Sequence, residues 1–186
     1  MKLKRVKWLG TAMLVIGACI IGAGTPWADP DESDSSTEVT KTTGPDLTEI
    51  RSRAQSMPID RRIDIDKRIA ATLERVDKQA ADKGQRAVAA RLAAEFHTSA
   101  DALADEKGRL GWSWGEMMIA CTLLSNSEAG VTLSDLATLR SDGLSWGAIA
   151  YGLRFRLEDL EDAIKAQGKV AMGLVKPDGK AATIEK

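Results

Sequence analysis

Few side chains in this sequence have the types and spacing that could support catalysis. His97 is the only histidine, and Thr98 and Ser99 follow it directly, so an imidazole base could activate a hydroxyl nucleophile here. No glycine-rich nucleophile turn surrounds Ser99, and hydroxyl residues at the start of a helix are usually caps. We therefore expect His97 to take part in capping or surface packing rather than in catalysis.

Two glutamates are the remaining candidates for proton transfer. Glu116 or Glu128 could serve as the acid of a small cell-wall hydrolase, in which one carboxylate protonates the leaving group. Glu116 follows Ser113 by three residues, which predicts a capping box, and Glu128 falls in a loop. No phosphate loop, dinucleotide fingerprint or metal-binding cysteine pair occurs in the sequence. We predict no catalytic residue, no metal site and no cofactor, with hydrolysis as the weakest alternative.

The most distinctive pattern is a short motif that occurs twice. Gly111–Met117 and Gly143–Ile149 match at an offset of 32 residues, and glycine, serine, tryptophan and glycine coincide in order. Ser113 and Ser145 are placed as N-caps, so a helix is predicted to begin at the tryptophan of each copy. We call these two segments the first and second motif.

The tryptophans of the motifs, Trp112, Trp114 and Trp146, have two interpretations. Each ring can be an anchor that packs on a neighbouring unit, with glycine allowing close approach. Alternatively, Trp112, which has no tryptophan counterpart in the second motif, is exposed and contacts a partner, since tryptophan is enriched in binding hot spots. Packing is the favoured interpretation, and all three remain candidate binding residues.

An amphipathic helix is predicted upstream of the motifs, over Ile59 to Lys83. Its apolar residues recur every three or four positions, and opposite charges lie four residues apart, as in Arg62/Asp66 and Glu74/Lys78. Short helices joined by glycine-containing turns follow, one of them ending at Gly108, and none can bury its apolar face alone. The sequence therefore predicts an all-α protein, a small bundle of about six short helices built from tandem helix-turn-helix-like repeats.

Residues 1–28 have the organisation of a secretory signal segment. Four basic residues precede an apolar run, and the chain then becomes polar, which favours cleavage after Ala28. Alternatives are lipidation of Cys19, which ends a lipobox-like Ile-Gly-Ala-Cys, or an uncleaved anchor. We predict an exported protein, periplasmic or secreted, with a lipoprotein as the alternative, and membrane contact only through this segment or a lipid on Cys19.

Composition divides the rest of the chain into three parts. Residues 29–57 are predicted to be a flexible acidic linker, because large aliphatic residues are almost absent from its first half. Residues 58–168 form the helical domain, with repeats near 99–126 and 132–168, and residues 169–186 are predicted to be a flexible tail. All 27 acidic residues but only 22 of the 26 basic residues lie beyond Ala28, a balance that disfavours nucleic acid as a partner.

Two resemblances to known proteins rest on the motifs. The segment 139–155, followed by Asp159-Leu160, resembles the helix-turn-helix core of resolvase-type and sigma-factor-type DNA-binding domains. The paired motifs also resemble a group of small exported bacterial proteins of unknown function that carry tandem Gly-Trp-Gly-Glu helical repeats. The second resemblance implies export and a helical fold, and implies no activity.

The helix that would enter the DNA groove begins with acidic residues. This carboxylate cluster consists of Glu158, Asp159, Glu161 and Asp162. The first resemblance would place these groups against phosphates and base edges, where their charge is repelled. We therefore interpret the cluster as candidate binding residues for another partner, and the chain as an interaction module that binds an envelope protein or ligand.

Overall fold

Eight α-helices make up the secondary structure of the part of the chain that the structure describes. The structure, a computed structural model, describes residues 45–180 and 182–184, so the predicted signal segment, Cys19 and the first part of the linker lie outside it. The helices are α1 (Leu47–Gln55), α2 (Ile59–Lys83), α3 (Gln85–Glu95), α4 (Ala100–Leu110), α5 (Trp114–Asn126), α6 (Leu133–Ser141), α7 (Trp146–Gly152) and α8 (Leu157–Ala171). The predicted all-α class is confirmed, with eight helices in the described residues where about six were expected.

The longest helix, α2, has the bounds that its periodicity predicted. It contacts α3, α5, α7 and α8, so it forms the support on which the later helices pack. Its buried residues recur at helical spacing and are Ile65, Ile69, Thr72, Val76 and Ala80. Burial of each large aliphatic side chain contributes roughly 1.5–3 kcal/mol, which explains why one amphipathic stripe is enough to position this helix.

The helix α1 corrects the prediction of a flexible linker up to residue 57. The side chain of Asp46 accepts hydrogen bonds from two amides of its first turn, which begins the helix. Ile50, Ala54 and Met57 are buried, and α1 packs on α7. The approach is so close that a Cβ on Gly152 would lie 2.5 Å from the carbonyl oxygen of Ile50. Three apolar residues in a polar segment were too weak a signal to predict this contact.

Serine and threonine caps begin four of the short helices. Ser99, Ser113, Thr132 and Ser145 each accept a backbone amide with the side-chain oxygen, at the starts of α4, α5, α6 and α7. The helix α4 continues two residues past its predicted end at Gly108, to Leu110, and Gly111 follows with the left-handed φ of 67° that ends a helix.

The C-terminal segment is attached to the bundle, in contrast to the predicted flexible tail. After α8 ends, residues 172–180 and 182–184, here called the strap, return along the helices. Glu95 accepts the amide of Asp178, and Asn126 accepts the amide of Ile184. Ile184 is 5% exposed and belongs to the core. Buried Ile184 and hydrogen bonds between the strap backbone and side chains of the bundle therefore order this segment.

The core is centred on α5, which is apolar on all sides. Met117, Met118, Ile119 and Leu123 of this helix are fully buried. Cys121 lies on the same helix, and burial raises the pKa of its thiol to about 12, so the thiol is protonated at neutral pH. No helix within the described residues has the length and apolar character needed to cross a bilayer.

Candidate functional site

Both motifs are fastened to the same face of α2. The Oδ1 atom of Asp77 accepts the amide of Gly115 at 2.8 Å, and the Oδ1 atom of Asp66 accepts the amide of Gly147 at 3.1 Å. The two aspartates are eleven residues apart in the sequence, which is close to three helical turns, so they lie on one stripe about 16 Å apart. Each carboxylate also stabilises the positive end of the helix dipole that begins there.

The second glycine of each motif is needed for this contact. A Cβ on Gly115 would lie 2.8 Å from the Cα and Cβ atoms of Leu73. A Cβ on Gly147 would lie 2.6 Å from a methyl group of Ile65 and 2.6 Å from Asp66 Oδ1. The expected close approach at these glycines is therefore to α2 rather than to the other motif.

In the first motif, Glu116 is engaged in the fold through both oxygens. Its Oε2 accepts the amide of Ser113, whose hydroxyl accepts the amide of Glu116, both at 3.1 Å, as the predicted capping box requires. Arg140 donates to Glu116 Oε1 at 3.4 Å and to the carbonyl of Leu144 at 2.7 Å. These bonds join the first motif to the turn before the second, and they occupy the glutamate considered for hydrolysis.

The three motif tryptophans differ in exposure. Trp114 is 4% exposed and Trp146 is 5% exposed, whereas Trp112 is half-buried. The rings of Trp112 and Trp146 meet edge to face with centroids 5.4 Å apart, and the Arg140 guanidinium lies 5.0 Å from the Trp146 centroid. Trp114 and Trp146 are packing anchors, and Trp112 is the tryptophan of the motifs that retains accessible ring surface.

A cleft of about 470 Å³ lies between α2 and the two motifs. Ile69, Ala70 and Leu73 of α2 form its apolar floor, and Glu74 and Trp146 are among the polar groups that line it. Within the described residues, Glu74 forms neither an ion pair nor a hydrogen bond. The indole N–H of Trp146 is buried without a hydrogen-bond acceptor in the same part of the chain. Because this N–H is inaccessible to solvent, the exposed carboxylate of Glu74 is the group that gives the cleft unused hydrogen-bonding capacity.

The carboxylate cluster on α8 is partly consumed by the fold. Glu161 forms hydrogen-bonded ion pairs with Lys165 at 2.5 Å and with Arg68 of α2 at 2.8 Å. These two cations, with Lys165 making the larger contribution, lower the pKa of Glu161 below its ordinary value. Glu161 therefore anchors α8 to α2, a role that sequence reasoning did not assign to it.

The other members of that cluster are nearer to solvent. Asp159 is half-buried and forms an ion pair with Arg156 at 3.4 Å. Glu158 and Asp162 are exposed, and the nearest cation to Asp162 is Lys165 at 3.9 Å. Glu161 and Asp159 are therefore engaged in ion pairs of the fold. Glu158 and Asp162 are the exposed members of the cluster, which leaves them free to contact a partner.

The residues around His97 do not form a catalytic pair. The Nε2 atom of His97 bonds to the carbonyl of Gly179 in the strap at 2.6 Å, and Ser99 caps α4. Within the described residues, no hydrogen bond joins His97 to Ser99, and no group of three or more His, Cys, Asp or Glu side chains is arranged to hold a metal ion. The expected capping role falls to Ser99, while His97 helps to hold the strap.

Sequence reasoning missed the residues that build the cleft. Arg62/Asp66, Asp64/Arg68 and Glu74/Lys78 were expected to pair along α2. In the described structure Asp64 and Arg68 form an ion pair at 2.7 Å, whereas the other two pairs do not form and Asp66 bonds to Gly147 instead. One sequence feature could have indicated these contacts: α2 has two aspartates eleven residues apart, and the chain has two glycine motifs, 32 residues apart, that each need an acceptor. That the two motifs derive from a tandem helix-turn-helix-like repeat stays a prediction.

Comparison with known proteins gives no match to a family model, a curated protein or a solved structure. The geometry of the cleft is therefore the basis for a functional proposal.

Proposed function

We propose that this chain is an exported helical interaction module that binds an envelope protein or ligand in the cleft between α2 and the two motifs. The observation that carries the proposal is the combination of an apolar floor with a polar group that the fold leaves unpaired, the exposed carboxylate of Glu74. Binding sites commonly consist of an apolar surface with a few oriented polar groups, and this cleft has that composition.

The packing around the cleft supports binding to a preformed surface. The floor belongs to α2, and the wall at Trp146 is held by the edge of Trp112 and the guanidinium of Arg140. Because these groups are fixed before a partner arrives, binding loses little conformational entropy. Trp112 lies against that wall with part of its ring accessible, which fits its predicted role as a contact residue.

Export is the second component of the proposal and rests on residues 1–28. Their basic start, apolar run and polar exit are typical of a signal segment. The charges on the surface agree with a partner other than nucleic acid, since exposed Glu158 and Asp162 lie at the start of the helix that would have to enter the groove. Both residues stay predicted contacts.

The test is site-specific photo-crosslinking of the full chain in bacteria that export it. A photoreactive residue replaces Ala70, which is exposed in the cleft floor, and the matched control replaces Asp105, which is exposed on α4. We expect a discrete light-dependent adduct from position 70 and none from position 105. Trp112→Ala, with its helix content checked by circular dichroism, should weaken the adduct. Absence of the adduct, or equal adducts from both positions, would contradict the proposal.

A further inference from the structure

The last described residues of the strap lie on the bundle as an extended peptide. Asn126, the last residue of α5, donates to the carbonyl of Ala182 at 2.9 Å and accepts the amide of Ile184 at 2.8 Å. In an extended chain these two main-chain groups point to the same side, so one side-chain amide can bond to both. The side chains alternate, with Ala182 packed on the core, Thr183 exposed and Ile184 buried. This segment is therefore held by its backbone and by one apolar anchor.

Two further side chains bind the strap nearer to α8. Glu95 accepts the amide of Asp178 at 3.1 Å, and the Nε2 atom of His97 bonds to the carbonyl of Gly179 at 2.6 Å. Within the described residues, no side chain of the strap forms a hydrogen bond or an ion pair with the bundle. We call Glu95, His97 and Asn126 the strap site. Since this site bonds to main-chain groups, it depends little on the side chains of its ligand.

Two positions of the ligand are nevertheless restricted. The anchor position must be aliphatic, because Ile184 is 5% exposed and belongs to the core. Gly179 has a left-handed φ of 67°, and a Cβ there would lie 2.6 Å from the imidazole of His97. A segment that binds as the strap does therefore has glycine five residues before its aliphatic anchor.

Most of the strap contributes little to the packing of the bundle. Leu174 is 69% exposed and Val175 is 51% exposed, although both side chains are large and apolar. Lys176, Asp178 and Lys180 are exposed as well. Segments with few buried apolar contacts open locally while the rest of a protein stays folded. The strap is therefore expected to detach from the strap site without unfolding of the bundle.

The strap is also an imperfect ligand in charge. Glu95 is 3% exposed, and its oxygens accept from neutral donors, the side-chain amide of Gln167 and the main-chain amide of Asp178. Arg91, one turn earlier on α3, donates to the carbonyl of Ala171 and forms no ion pair with Glu95 within the described residues. Burial of a carboxylate without a cation is unfavourable, and the strap residue bonded to it is itself acidic. A ligand with lysine or arginine in place of Asp178 has the complementary charge.

We infer that the strap site binds an extended peptide segment of another protein, and that the strap occupies this site as an internal competitor. The ligand has an aliphatic residue in place of Ile184, glycine in place of Gly179 and a basic residue in place of Asp178. A second copy of this chain would bring the same aspartate, so charge favours a different protein. Asn126 and the cleft-lining Glu116 lie at opposite ends of α5, so the strap site is separate from the cleft.

The experiment uses fluorescent synthetic peptides that reproduce residues 176–186, with the full chain as receptor. The receptor is prepared as wild type and as Ile184→Ser, in which the internal competitor loses its anchor. Fluorescence anisotropy should show that Ile184→Ser binds the peptide at least about tenfold more tightly than wild type does, because the tethered strap competes at a high effective concentration. A peptide with lysine in place of Asp178 should bind about threefold more tightly to both receptors.

Matched changes test whether the backbone is recognised. N-methylation of the peptide at the position of Ile184 removes an amide that Asn126 accepts, and should weaken binding about tenfold. The same modification at Thr183, whose amide has no acceptor within the described residues, should leave binding nearly unchanged.

A second pair of variants locates the site on the receptor. Asn126→Ala, combined with Ile184→Ser, should weaken binding about tenfold. The control is Ser141→Ala, which removes a hydroxyl that bonds within α6, and it should leave binding unchanged. Circular dichroism checks that each variant keeps its helix content.

Four outcomes would overturn the inference. Absence of binding to folded Ile184→Ser, or equal binding of the two methylated peptides, would show that the strap site does not recognise a peptide backbone. Equal binding of the aspartate and lysine peptides would show that Glu95 does not select a basic ligand. A concentration-dependent wild-type dimer that Ile184→Ser dissociates would assign the site to the strap of a second copy. Crosslinking at position 70 tests the cleft separately, so failure at the strap site leaves the proposed function intact.

Discussion

The two motifs share their contacts with α2 and differ in what they present beside the cleft. In both, serine caps a helix, tryptophan is buried and the second glycine donates to an aspartate of α2. The first motif has half-buried Trp112 and the cleft-lining Glu116, where the second has Leu144 and Ala148, which are both buried. The shared residues therefore attach both motifs to α2, and the residues that differ give the first motif the accessible tryptophan ring and a cleft-lining carboxylate.

The largest expected effect comes from adding a methyl group at the shared glycines. Gly115→Ala should lower the free energy of unfolding by about 3 kcal/mol, because the added Cβ would meet the backbone of Leu73. Gly147→Ala should cost less, about 2 kcal/mol, because side chains of Ile65 and Asp66 can move. Urea denaturation measures both values.

Gly108 provides the control for these two substitutions. It lies within α4, and a Cβ there would meet nothing within 4 Å, so Gly108→Ala should stabilise the protein by roughly 0.5–1 kcal/mol. Equal destabilisation at positions 108 and 115 would show that glycine matters here for a reason other than its approach to α2.

A smaller effect is expected from removing the aspartates that hold the motifs. Asp77→Ala and Asp66→Ala should each lower the free energy of unfolding by about 1–2 kcal/mol, since each leaves a helix-start amide without its acceptor. Asn at either position should restore most of the loss, because its carbonyl can accept the same amide. Thermal unfolding of the four variants tests whether the two contacts are equivalent; a large effect of one aspartate alone would break the comparison.

The smallest effect is expected at the residue that distinguishes the motifs. Glu116→Ala removes half of a capping box and a partly exposed pair with Arg140, which should cost about 1 kcal/mol. The second motif has alanine at the matching position and still begins a helix, so the variant should fold. A loss of helical structure in the circular dichroism spectrum would mean that the first motif depends on its capping box for folding.

Local features of this fold could be predicted from sequence, and contacts between distant segments could not. The stripe of α2 and the caps Ser113 and Ser145 depend on neighbouring residues, and the structure has them where the patterns indicated. The bonds of Asp77 and Asp66 join residues 38 and 81 positions apart, which no local pattern encodes. The α1 helix and the strap are ordered mainly by the surfaces they touch, and their own composition predicted the opposite.

The spacing of the two aspartates along α2 fixes the distance and the relative orientation of the two motifs. One residue inserted between Asp66 and Asp77 would turn the second attachment point by about 100° and move it about 1.5 Å along the axis, so one motif would lose its acceptor. An insertion in an exposed turn between the motifs changes no such register, since each motif is attached to α2 separately. The length of this helical interval is therefore fixed for the chain, while the connections around it are free to lengthen.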